Sequence, residues 1–102
     1  MATYILLSTL TDHGAQTLHS DPDRMLAVNA EMEAFGCKVK DQYAVLGSYD
    51  FVTVIEAANN ETVAHLSVDL ASRGTIKVTT LPALSITDLI AKMKEPHELG
   101  RS

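Results

Sequence analysis

Residues Phe51-Val52-Thr53-Val54-Ile55-Glu56-Ala57 follow the turn-forming run Leu46-Gly47-Ser48-Tyr49-Asp50 and are apolar at odd and even positions alike, up to one carboxylate near the far end. Side chains of a strand alternate between its faces, so Phe51, Thr53 and Ile55 point one way and Val52, Val54 and Glu56 the other. A strand that is apolar on both faces belongs in the middle of a sheet and needs a cover on each side. Thr3 to Leu10 behaves alike, with Tyr4, Leu6 and Leu10 on one face and Ile5 and Leu7 on the other. Whatever surrounds these two strands must shield two sheet faces.

The remaining segments supply the cover for one face. Thr11-Asp12-His13-Gly14 reads as a break after the first strand, and Ala15 to Ser20 as one loose helical turn. Asp21-Pro22-Asp23 places an N-cap acid before a proline at the first helical position. The helix that follows carries Met25, Val28, Met32 and Phe35 at helical spacing and stops at Gly36, a left-handed C-cap. Cys37 to Leu46 reads as a second strand, and its charges Lys38, Lys40 and Asp41 suit a sheet edge. After the central strand, Asn59 or Asn60 caps a second helix with the apolar stripe Val63, Leu66, Leu70 and Ala71, closed by Gly74. Thr75 to Leu81 is a β-branched fourth strand limited by Pro82, and Ser85-Ile86-Thr87-Asp88 opens a C-terminal helix with Ile86, Leu89, Ile90 and Met93 apolar. The order is βαββαβ plus a helix, an α+β split βαβ arrangement with a four-stranded antiparallel sheet and two helices on one face. The domain is expected to span residues 1–96, with a loose polar tail from His97.

A glycine, one variable residue, Tyr49-Asp50-Phe51-Val52 and a strand ending in Glu56 resemble the signature of the GYD-domain family. The similarity extends from Thr3-Tyr4-Ile5 through Gly74 to Thr79-Thr80-Leu81 and so covers nearly the whole chain. It implies a ferredoxin-like fold of the dimeric α/β-barrel type and no particular activity. Where family members often carry Pro-Asp-Asp after the strand, this chain has Ala58-Asn59-Asn60, which keeps helix-start chemistry and removes two acids.

Composition removes several classes of function. The net charge of -5 and pI near 5.2 leave no basic patch for neutralising phosphates, so a nucleic-acid partner is not expected. No apolar run approaches the roughly 20 residues that span a bilayer, and no basic segment precedes an apolar one at the N-terminus, so a cytoplasmic protein without a membrane partner is expected. Cys37, the only cysteine, reads as a small buried thiol. His13 and His19 lack the spacing of a helical metal pair, and neither a glycine-rich phosphate loop nor a Gly-x-Ser-x-Gly elbow is present, so no metal or cofactor is expected.

Two readings of function stay open. In the first, the chain is a small-molecule binding protein or a cofactor-independent enzyme, with an organic ligand held between the sheet and its helices or a partner subunit and polar contacts drawn from Glu56, Tyr49, Asp50, His13, Tyr43 and Thr79. Glu56 on a covered face would be desolvated and able to act as a base, or would otherwise sit in water at a strand end. Asp50 either orients a hydroxyl or accepts turn amides, and the tyrosines either line a pocket or pack as core. In the second reading the chain is a non-catalytic assembly or regulatory module whose open sheet face is a subunit interface. Two helices cover one face only, so both readings expect self-association as a homodimer or higher oligomer, unless the C-terminal helix folds across the second face.

Overall fold

The computed structural model describes residues 1–96. The elements in chain order are β1 (Ala2–Leu10), α1 (Asp12–Ser20), α2 (Arg24–Ala34), β2 (Lys38–Ala44), β3 (Phe51–Ala57), α3 (Asn60–Ser72), β4 (Ile76–Ala83) and α4 (Ile86–Met93). All strand pairs are antiparallel in the order β2-β3-β1-β4, the ferredoxin-like topology, with β1 and β3 central. The tail from His97, expected to be loose, lies outside the described residues.

The alternation expected of the central strands is met. Tyr4, Leu6 and Ser8 of β1 and Thr53, Ile55 and Ala57 of β3 are buried on the helix-bearing face, where Met32 of α2 and Val63, Leu66 and Leu70 of α3 pack against them. Full burial of such aliphatic side chains contributes about 1.5–3 kcal/mol each. On the opposite face Ile5 pairs with Val54 and Leu81, and Leu7 with Val52 and Thr79. These side chains meet only one another, because no described element lies over them.

Four local departures from the sequence pattern have physical reasons. Residues 12–20 form a full nine-residue helix rather than one loose turn. Thr11 is its N-cap, its hydroxyl accepting from the Gly14 amide at 3.0 Å and donating to the Gly74 carbonyl at 2.7 Å. Gly14 is a contact residue rather than a breaker, since a Cβ there would stand 1.8 Å from the Thr75 carbonyl oxygen. The Asp21-Pro22-Asp23 segment makes a tight turn, with Arg24 N donating to Asp21 O at 3.1 Å, and α2 begins only at Arg24. β2 ends at Ala44, two residues early, because Val45 N donates to Asp50 O at 2.9 Å to close the turn into β3. β4 runs through Pro82 to Ala83, which an edge strand tolerates when the proline nitrogen faces outward.

α4 does not fold across the open face. Ser85 caps it as expected, accepting from the Asp88 amide at 3.0 Å, but every one of its residues is exposed and it packs extensively on no other element. The molecule is accordingly drawn out to 62 Å along its long axis, and its radius of gyration of 16.7 Å exceeds the about 13 Å of a compact chain of this length.

Gly14→Ala is expected to push α1 off the start of β4 and to destabilise the fold by about 1–3 kcal/mol, the usual cost of forced overpacking. Urea unfolding followed by far-ultraviolet circular dichroism measures it. A variant as stable as the parent would show that α1 does not depend on this approach.

Candidate functional site

A cavity of about 410 Å³ lies on the helix-bearing side of the sheet, beneath α1 and α2. Its apolar wall combines Leu6 and Phe51 from the sheet with Met25, Val28 and Met32 from α2 and Leu18 from α1. Volume and lining match those of small-molecule sites, which are mostly apolar with a few fixed polar groups.

Polar residues break the apolar pattern of this wall at defined points. Asn29 of α2 and Gln42 of β2 form a reciprocal amide pair, Asn29 Nδ2 donating to Gln42 Oε1 at 2.7 Å and Gln42 Nε2 to Asn29 Oδ1 at 3.2 Å. Gln42 Nε2 also donates to Thr53 Oγ1 at 3.1 Å, so one network ties α2 to two strands. Ser8 is only 7% exposed and lines the cavity, and its hydroxyl bonds to no protein group among the described residues.

Two arginines complete the lining. Arg73, at the C-cap of α3, donates through Nη2 to Glu31 Oε2 at 2.8 Å and to Asp69 Oδ2 at 3.1 Å, while its Nη1 is buried without a partner. The hydrogen bond from Arg73 holds the Glu31 carboxyl below the usual carboxylate range, and the same pair of acids holds the Arg73 guanidinium above its ordinary value. Arg24 lies 3.9 Å from the other oxygen of Glu31. Neither Glu31 nor Asp69 lines the cavity.

The residues singled out from sequence are divided among three places. His13, at the start of α1, lines the cavity. Glu56, Tyr43 and Thr79 lie on the opposite, open face of the sheet: Glu56 is 4.0 Å from Lys40, and Tyr43, opposite Val52, is 60% exposed. Tyr49 and Asp50 sit in the turn before β3. Asp50 Oδ2 accepts from the Leu10 amide and Asp50 N donates to Ser8 O, each at 2.8 Å, locking the turn onto the end of β1. Ser8, Asn29, Gln42 and Arg73 were not singled out. The available signal was polar residues at positions that strand or helix periodicity turns inward.

Elsewhere, Cys37 is fully buried, and burial pushes its thiol up. Among the described residues no three His, Cys, Asp or Glu side chains converge as a metal site would require. No described helix is long and apolar enough to cross a membrane.

Residues 4–93 match the family model of the GYD domain. The chain belongs to the GYD domain family. A Thermus thermophilus protein named glutamine synthetase and cystathionine beta-lyase binding protein is 55% identical to this GYD domain over 95 residues, covering 92% of the chain and 100% of that protein. Among solved structures, hypothetical protein PHS023 from Pyrococcus horikoshii superimposes with a TM-score of 0.52 at 18% identity, over 83% of this chain and 92% of that one. The second similarity carries the fold alone.

The Glu31–Arg73 pair makes stability depend on acid. A carboxyl lowered on folding stabilises fully above its unfolded value, and that contribution is lost as pH falls through the lowered folded value. Glu31→Gln is therefore expected to cost stability at neutral pH and nothing at pH below the lowered value, so its acid limb is flatter than the parent's. Thermal unfolding across an acidic pH series reads the difference, and parallel limbs would count against the linkage.

Proposed function

We propose that this GYD domain is a non-catalytic regulatory binding protein that self-associates and docks on metabolic enzymes. The observation that carries the reading is the 55% identity, across the full length of the relative, to a protein named for binding glutamine synthetase and cystathionine beta-lyase. The chemistry of the surface supports it. The open sheet face presents Ile5, Leu7, Val52 and Val54 as one patch, with Leu81 41% exposed beside it. Contiguous apolar surface of this kind marks interaction sites. The α4 stripe of Ile86, Leu89, Ile90 and Met93 repeats at helical spacing and is exposed throughout. An eight-residue helix is shorter than the about 12–15 residues at which isolated helices become even marginal in water, so α4 needs an apolar partner to hold its form. A second copy placed face to face over the sheet supplies cover for both.

A second reading concerns the interior. The cavity under α1 and α2, lined in part by Arg73, whose Nη1 is buried without a partner, supports binding of a small organic ligand. It is compatible with a regulatory protein that reports a metabolite to an enzyme.

Two measurements test the main reading. Sedimentation velocity is expected to give a dimer or larger species, and Val54→Lys, which places an unpaired charge in the apolar face, to weaken association at least about 100-fold while the monomer stays folded, as expected for a penalty of about 3–5 kcal/mol. A parent that sediments as a monomer refutes self-association. The immobilised chain is expected to bind purified glutamine synthetase or cystathionine beta-lyase from its own host saturably in biolayer interferometry. Absence of binding to both enzymes refutes the docking role.

A further inference from the structure

We propose that the cavity beneath α1 and α2 is a site for a small organic anion, its apolar body seated against Met25, Val28 and Met32 and its acid group turned toward Arg24 and Arg73. The inference rests on the reading of this cavity as a ligand site and adds the charge and class of the ligand.

The first argument is electrostatic. The chain carries 13 acidic and 8 basic residues. Yet the cavity lining includes Arg24, Arg73 and His13 and not a single Asp or Glu. A protein with net charge -5 has thus kept its acids out of the wall of this cavity and put two permanent cations there. An anion entering this space meets no like charge on the wall, whereas a cation would meet two guanidinium groups, Arg73 and the more exposed Arg24, which share Glu31 as a partner outside the lining.

The second argument is hydrogen-bond accounting. A guanidinium has five donors in a fixed fork. Glu31 and Asp69 share Nη2 of Arg73, and Nη1 is left buried and unpaired. Ser8 adds a hydroxyl without a protein partner on a residue 7% exposed. Leaving a donor buried and unsatisfied, as Arg73 Nη1 is, costs about 1–3 kcal/mol, and more for a charged group. A carboxylate is an acceptor-only group that guanidinium forks receive well. A neutral apolar guest would leave Arg73 Nη1 unpaired.

The third argument is shape. A cavity of about 410 Å³ exceeds what an inorganic anion fills, and its aliphatic and thioether walls reward an apolar body. The adaptable side chains of Met25 and Met32 suit guests of irregular outline.

The test uses the full chain, isotope-labelled for amide NMR and titrated separately with octanoate, octanol and octylamine, three probes of nearly equal apolar body and different charge. Octanoate is expected to shift amides of the lining residues and to bind at least about tenfold more tightly than octanol, the return from one charge-assisted hydrogen bond, with octylamine weakest. Arg24→Gln, at an exposed side chain, is expected to narrow the octanoate-to-octanol ratio, and Ser8→Ala to weaken octanoate several-fold with unfolding unchanged. If all three probes shift the lining residues with equal affinity, the cavity is a ligand site and the preference for an anion is wrong. If none of the three shifts them, the cavity reading itself fails and the anion with it.

Discussion

A sheet that is apolar on both sides, with helices packed on one, governs this molecule. Burial of Tyr4, Leu6, Ile55 and Ala57 beneath α2 and α3 makes the core. The same strands then present Ile5, Leu7, Val52 and Val54 on the other side as a direct consequence of the two-residue repeat. A one-residue slip of β1 would exchange the two sets without making either face strongly polar, so its register cannot be fixed by hydrophobicity alone. It is fixed by polar contacts at the strand ends. Asp50 holds the amide of Leu10 and donates to the carbonyl of Ser8, and Tyr4 donates to Asn60 Oδ1 at 2.5 Å at the other end of β1.

This helps explain which parts were legible in the sequence. The order of elements, the central position of β1 and β3 and the caps at Asn59 and Ser85 follow from periodicity and helix-end chemistry, which are local. The glycine at position 36, with φ of +94°, follows from the left-handed conformation that ends α2. What local patterns could not carry was long-range contact. Gly14 looked like a turn residue because the reason for its missing Cβ is the Thr75 carbonyl, far along the chain. The helix α1 was reduced to a turn for the same reason: its cap, Thr11, is held by Gly74 and Thr75 as well as by its own first turn.

The candidate site was less legible than the fold. Sequence reasoning favoured residues with conspicuous chemistry, a carboxylate on the central strand, tyrosines and a loop histidine. Topology sends Glu56, Tyr43 and Thr79 to the open face and His13 to the cavity, and it commits Asp50 to backbone amides. The cavity is instead furnished by quieter residues. Gln42 in an edge strand and Asn29 on a helix acquire significance only because folding sets them in mutual hydrogen-bond contact. Arg73 reads as an ordinary helix-terminal base until Glu31, from another helix, is found beside it.

The two outermost strands limit how molecules of this kind can meet. Pro82 lies in β4, where its ring nitrogen offers no donor to a neighbouring chain, and β2 carries an irregularity between Val39 and Asp41, at Lys40. Lateral zippering of one sheet onto the next is thereby discouraged at both margins. Growth of the sheet into open-ended ribbons by edge pairing is disfavoured by the same features.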